Sequence, residues 1–143
     1  MSEYKTKMTY AVSARRIDDH GSLAHCKEAN INLDTDLTGC PDAFNPAELL
    51  MASLAACMIK GIEREAPILN FELRGVKILS VGLRQDEPPK MEFIDYEILV
   101  DSDENDHRLE LLHEKVKKYS TIFNTVAPGT ELKGVLLRDI RSD

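Results

Sequence analysis

The hydrophobic and polar positions along the chain divide it into alternating stretches and stretches with helical spacing. Alternation predicts five strands, over residues 7–17, 22–33, 71–84, 91–100 and 131–140. The turn DDHG, residues 18–21, makes the first two strands an antiparallel pair, and QDEPPK, residues 85–90, joins the next two. Residues 34–44 contain Gly39 and Pro41 and are predicted to form a loop.

The first predicted helix begins directly after that loop, at NPAE. Asn45 can cap the first turn, Pro46 stands where a backbone N–H is not needed, and Glu48 can close a capping box. Pro67 marks the end of the helix. The segment is apolar on nearly every side, and such a helix must be buried on most of its faces. We therefore expect a sheet on one side of it and a partner on another.

A second helix is predicted over residues 107–119. Its apolar side chains fall at helical spacing and form one buried stripe, Leu109, Leu112, Val116 and Tyr119. A short apolar element over residues 122–126 leads to the last strand. The order β-β-α-β-β-α-β is typical of an α+β protein, because strands and helices do not alternate strictly. At this length, residues 1–143 are predicted to form a single domain.

Composition narrows the classes of function. The formal net charge of −7, with scattered basic residues, repels phosphate backbones, so no nucleic acid partner is expected. The longest apolar stretch, residues 49–59, is shorter than the ~20 residues that span a bilayer, and the first ten residues have no signal-peptide core. We expect a cytoplasmic protein with no membrane partner, in which Cys26, Cys40 and Cys57 are free thiols. No metal or cofactor is expected, since the sequence has neither a ligand cluster nor a phosphate-binding loop.

The segment NPAELLMASLAAC, residues 45–57, resembles the central helix of the OsmC/Ohr family of hydroperoxide-reducing proteins. That family carries N-P-E-E-L-L, then small residues, then a cysteine eleven positions after the proline, and Pro46 and Cys57 have this spacing. The predicted element order matches the family over most of the chain. The resemblance implies an OsmC-like fold and an intertwined homodimer, with central helices packed between two sheets and active sites at the subunit interface.

The resemblance also implies a chemistry. The Cys57 thiolate would attack a peroxide bond and become a sulfenic acid, a second cysteine would condense with it, and a dithiol such as a lipoyl group would reduce the disulfide. The sequence departs from the family at three points. Where the family has C-P-V-S-N-T-L, residues 120–126 read STIFNTV, so Ser120 replaces the second cysteine. Ala47 replaces the glutamate that follows the proline, and residues 33–44 lack the family's arginine.

Cys57 has two interpretations, as a small buried hydrophobic residue or as the reactive atom of the protein. A free thiol ordinarily titrates near pH ~8.5 and needs a cation or a helix N-terminus to ionise at neutral pH. Cys57 lies about three turns into its helix, so a cation must come from elsewhere. The candidates in this chain are Arg15, Arg16 and Lys60.

Three functions therefore stay open. The first is weak reduction of a small hydrophobic hydroperoxide by Cys57 in a one-cysteine mode, with an external thiol as reductant. The second is a non-catalytic dimer that binds an apolar ligand in the former active-site cavity, and the third is a structural dimer without a ligand. Beside Cys57 the candidate site residues are Glu48, Ser120 and Cys40. Capping also explains Glu48, hydrogen bonding at a helix end also explains Ser120, and Cys40 is a candidate replacement for the resolving thiol.

Overall fold

A computed structural model of the chain describes residues 8–139. In chain order its elements are β1 (Ser13–Arg16), β2 (Gly21–Cys26), β3 (Ala29–Asp34), α1 (Pro46–Ile68), β4 (Gly75–Asp86), β5 (Pro89–Asp101), α2 (Asp106–Tyr119), α3 (Thr121–Val126) and β6 (Glu131–Arg138). The predicted α+β class is confirmed. The chain divides into two compact units between Leu49 and Leu50, and α1 runs through that division.

The first unit contains a three-stranded antiparallel sheet in the order β1–β2–β3. The prediction of one strand over residues 22–33 is wrong, because the chain turns at Lys27 and Glu28 to form a hairpin. Lys27 adopts a φ of 56°, in the left-handed region, and neither turn residue is among the usual turn formers. The turn therefore left no clear signal in the sequence. β1 lies within the predicted residues 7–17, of which residue 7 is outside the described part.

The second unit contains a sheet in the order β4–β5–β6, in which β5 is antiparallel to β4 and parallel to β6. Alternate residues of the central strand β5 are fully buried, among them Ile94, Ile98 and Val100. They form one hydrophobic core with Leu54, Met58 and Ile62 of α1 and with Leu109, Leu112 and Val116 of α2. The turn predicted over residues 85–90 is shorter than expected, since β4 continues to Asp86 and β5 begins at Pro89, which leaves Glu87 and Pro88 between them.

The predicted capping box at the start of α1 is confirmed. The Asn45 N–H donates to Glu48 Oε1 at 2.9 Å, and the Glu48 N–H donates to Asn45 Oδ1 at 2.8 Å. Pro67 lies in the last turn, and the helix ends one residue later at Ile68. The local sequence therefore fixes both ends of the helix that carries Cys57.

Helix α2 matches its predicted span, but one member of the predicted buried stripe is wrong. Tyr119 is 50% exposed, whereas His113 is buried beside the three aliphatic residues of the stripe. Tyr119 is the last residue of the helix, where its side chain is exposed, and His113 follows Leu109 by four positions on the covered face. The short element at residues 122–126 is α3, and β6 ends at Arg138; residue 140 of the predicted strand lies outside the described residues.

Candidate functional site

The sulfur of Cys57 faces the junction between α2 and α3. Cys57 is half-buried on α1, and its Sγ accepts a hydrogen bond from Ser120 Oγ at 3.0 Å. The backbone N–H of Ile122 donates to the same sulfur across 3.5 Å. Position 120, which the resemblance equates with the family's second cysteine, therefore lies directly beside the sulfur.

Ser120 ends α2 and caps α3. It is 1% exposed, and its hydroxyl oxygen accepts a hydrogen bond from the Phe123 N–H at 3.3 Å while it donates to Cys57. Ser120 therefore performs the hydrogen bonding expected at a helix end, and it also contacts the cysteine.

Close packing brings α1 to this junction. Gly61 lies one turn after Cys57, and a Cβ built there would stand 3.3 Å from Val116 Cγ1 of α2. One turn further, Arg64 Nη2 donates to the carbonyl oxygen of Tyr119 at 3.5 Å, at the last residue of α2. The absence of a side chain at position 61 lets the two helices approach closely, which brings Cys57 within reach of Ser120.

In the described part of the chain, no cation donates a hydrogen bond to the sulfur. Among residues 8–139, hydrogen bonds to Cys57 Sγ come from Ser120 and Ile122, and neither group carries a charge. Lys60 is exposed, and the Arg64 guanidinium pairs with the buried carboxylate of Glu65 at 3.1 Å. Of the predicted cation candidates, Arg15 and Arg16 are exposed on β1 in the first unit.

A buried polar pair lies next to α3. The Tyr96 hydroxyl and His113 Nε2 are 2.7 Å apart and share a hydrogen bond, and the Phe123 ring packs edge-to-face on Tyr96 with centroids 6.5 Å apart. Burial lowers the pKa of His113 to about 4, with a smaller contribution from Lys117, and burial raises the pKa of Tyr96 to about 12. Both groups are therefore uncharged at neutral pH.

Sequence reasoning missed this pair, although signals for each member exist. His113 follows the buried Leu109 by four positions, and Tyr96 alternates with Ile94 and Ile98 along β5. Each residue thus lies on the core-facing side of its element, which the sequence indicates. That Tyr96 and His113 pair with each other is known only from the structure.

The other two candidate site residues belong to the first unit. Glu48 forms the capping box described above. The backbone N–H of Cys40 donates to Asp34 Oδ2 at 3.0 Å, and Cys40 lines a hollow of about 250 Å³ together with His20. All three cysteines are free thiols, as expected. The structure therefore unites Cys57 with Ser120, while a resolving role for Cys40 stays a prediction.

No group of three or more His, Cys, Asp and Glu side chains within residues 8–139 is arranged to hold a metal ion. In the same part of the chain, no helix has the length and apolar character needed to cross a bilayer.

The fold is α+β with two three-stranded sheets, and its helix α1 carries a half-buried free cysteine. A sequence model described as OsmC-like protein matches residues 39–133, and the chain belongs to the OsmC-like family. No curated protein matches the chain in sequence.

Solved structures share the fold at low sequence identity. An OsmC-like protein from Mycoplasma pneumoniae is 18% identical, with a TM-score of 0.85, over 94% of this chain and 100% of the other. An organic hydroperoxide resistance protein OsmC from Legionella pneumophila is 20% identical, with a TM-score of 0.69, over 95% of this chain and 100% of its own. An organic hydroperoxide resistance protein of Bacillus subtilis is 16% identical, with a TM-score of 0.64, over 90% of this chain and 98% of its own. At these identities the likeness establishes the fold.

Proposed function

We propose that the protein is a cytoplasmic thiol-dependent peroxidase that reduces organic hydroperoxides at Cys57 in a one-cysteine mode. The observation that carries the proposal is the placement of the Cys57 sulfur, half-buried on α1 with two hydrogen-bond donors directed at it. Organic hydroperoxides are the substrate class to test because two of the similar structures are organic hydroperoxide resistance proteins.

The first half of the cycle needs only Cys57. Its thiolate attacks the terminal oxygen of R–O–O–H, the O–O bond breaks, and the alkoxide leaves and takes up a proton as R–OH. The sulfur is oxidised to a sulfenic acid as the peroxide is reduced to an alcohol.

The second half needs a reductant from outside the chain, because the residue beside the sulfur is Ser120, which cannot form a disulfide. An external thiol attacks the sulfenic acid, forms a mixed disulfide and releases water. A second thiol then attacks the mixed disulfide, which regenerates Cys57 and leaves the reductant as its disulfide. Since no cation contacts Cys57 Sγ among residues 8–139, we expect turnover well below that of family members that retain the arginine.

We also propose that the working unit is a homodimer. The sheet β1–β3 buries little of its own surface: Ala24 is its one buried hydrophobic residue within the described part of the chain. An apolar hollow of about 270 Å³ in this unit is lined by Val12, Ala24, Ile31 and Leu49. A sheet with so small a hydrophobic core is stabilised when another surface packs on it, and we propose that a second copy of this chain supplies that surface. The second copy would also bury Ser53 and Ala56, which are exposed on α1.

The test is hydroperoxide consumption by the reduced protein. Cumene hydroperoxide is supplied with dihydrolipoamide or dithiothreitol as reductant, and the remaining peroxide is measured over time. The wild type is expected to show slow turnover that Cys57→Ser abolishes. Cys26→Ser and Cys40→Ser are matched controls, because each removes one free thiol and leaves the sulfur beside Ser120 in place.

Two outcomes would contradict the proposal. Turnover that survives in Cys57→Ser would show that Cys57 is not the reacting thiol, and the binding of an apolar ligand would then be the function to test. Loss of turnover in Cys40→Ser, with a Cys40–Cys57 disulfide found by peptide mapping after peroxide treatment, would replace the one-cysteine mode by a two-cysteine cycle.

A further inference from the structure

A thiolate needs its charge stabilised, yet no cation contacts the Cys57 sulfur among residues 8–139. We infer that Ser120 is the positioning residue that meets this need, because its hydroxyl donates to the sulfur and, with the Ile122 N–H, stabilises negative charge there. The inference deepens the proposed function and rests on it only in taking Cys57 as the reacting thiol. Hydrogen bonds to an ionised partner are stronger than those between neutral groups.

The orientation of the Ser120 hydroxyl follows from its two neighbours. The Phe123 N–H donates to the hydroxyl oxygen at 3.3 Å, so that oxygen already acts as an acceptor for the backbone. A hydroxyl has one proton of its own, and this proton is directed to Cys57 Sγ at 3.0 Å. The same residue therefore caps α3 and supplies a donor to the sulfur.

The donor is held in place by the packing around it. Ser120 is 1% exposed, so water does not compete for its hydroxyl. The close approach of Gly61 to Val116 and the bond from Arg64 to the Tyr119 carbonyl fix α1 against the residue that precedes Ser120. A donor that is already oriented when charge develops needs little reorganisation, which makes it effective despite being neutral.

The inference is tested through the reactivity of Cys57 without any hydroperoxide. In a Cys26→Ser/Cys40→Ser background Cys57 is the one remaining thiol of the chain. Its rate of alkylation by iodoacetamide is measured by mass spectrometry between pH 5 and pH 9. We expect Ser120→Ala to slow alkylation at pH 7 about tenfold and to move the midpoint of the rate–pH curve upward by about one unit.

Three further variants separate charge stabilisation from folding. Ser120→Gly removes the same hydroxyl, and glycine is accepted at helix N-caps, so it replaces Ser120→Ala if that variant does not fold. Ser120→Thr keeps the hydroxyl and should restore most of the wild-type curve. Ser102→Ala is the matched control, because Ser102 is another buried serine, 2% exposed, whose Oγ accepts from the Glu104 N–H at 3.2 Å. Its curve should equal that of the wild type.

Unchanged curves in the folded Ser120→Ala and Ser120→Gly variants would overturn the inference, as would an equal shift in Ser102→Ala. The result is independent of the peroxidase proposal. A shifted alkylation curve in a protein without hydroperoxide turnover would support the role of Ser120 and refute the peroxidase. Turnover without a shift in the alkylation curve would support the peroxidase and refute the role of Ser120.

Discussion

Tyr96 of β5 and His113 of α2 share a buried hydrogen bond, with 2.7 Å between the tyrosine hydroxyl and Nε2 of the imidazole. His113 is 7% exposed, and burial keeps its pKa near 4 while Glu114 and Lys117 act on it with opposite signs. The Phe123 ring packs on Tyr96 and the Phe123 N–H donates to Ser120 Oγ, so Phe123 connects the pair with the junction that carries Ser120. A proton on His113 would place an unpaired charge in the core.

The first prediction is a loss of stability in mild acid. The pKa of His113 is lowered in the folded state, so its stabilising effect is complete above the ordinary value of 6.5 and is lost as the pH falls from 6.5 towards 4. Between pH 7 and pH 4.5 the free energy of unfolding should fall by roughly 2 kcal/mol through this residue alone. Urea unfolding of the wild type and of His113→Gln gives the free energy of unfolding at each of these two pH values. The contribution of His113 is the loss in the wild type minus the loss in the variant.

The control for this measurement is His107→Gln, which removes an exposed histidine at the start of the same helix. Its pH dependence should equal that of the wild type. If His113→Gln loses as much stability between the two pH values as the wild type does, His113 is not the titrating group.

The second prediction concerns the sulfur chemistry at position 120. In the wild type no disulfide can link Cys57 to this position, whereas Ser120→Cys should form one after mild peroxide treatment. The serine oxygen already stands 3.0 Å from Cys57 Sγ, and small side-chain rotations reach the ~2.05 Å of an S–S bond. Non-reducing peptide mapping detects the link. Separate oxidation of the two thiols, without a link, would show that residue 120 does not occupy a resolving position.

The third prediction tests the packing of Tyr96 against β6. A Cβ at Gly134 would overlap the Tyr96 ring, so Gly134→Ala forces the ring away from its buried position. Overpacking of this kind destabilises by about 1–3 kcal/mol. Gly129→Ala is the matched control, since nothing lies within 4 Å of its Cβ position. Chemical unfolding of both variants measures the difference, and equal midpoints would contradict the close contact.

The fourth prediction is the oligomeric state. Light scattering during size-exclusion chromatography at micromolar concentration should give twice the 16.1 kDa of one chain, because the first unit has too small a core to stand uncovered. A mass near 16.1 kDa that persists at high protein concentration would refute the dimer.

Much of the framework could be predicted from local sequence. The cap at Asn45 and Glu48, the span of α2 and the short element that is α3 all depend on groups within a few positions of one another. The hairpin turn at Lys27 was missed because its residues carry no turn preference. The exposure of Tyr119 was missed because helical spacing assigns a side chain to one face of the helix and does not show how far neighbouring elements cover that face.

The candidate site could also be predicted from the sequence only in part. The sequence by itself determined that Cys57 lies on a long apolar helix and that a serine stands where the resembling family has its second cysteine. Only the tertiary structure decided that the Ser120 hydroxyl donates to that sulfur, that Ile122 donates to it as well, and that Tyr96 meets His113 behind them. Cys57 and Ser120 are 63 positions apart, and such a contact depends on how closely α1 packs at Gly61 against α2. Capping and periodicity depend on residues within one or two helical turns, so a short stretch of sequence is enough to predict them. The distance between two packed helices is set by all the side chains between them and is decided only in the tertiary structure.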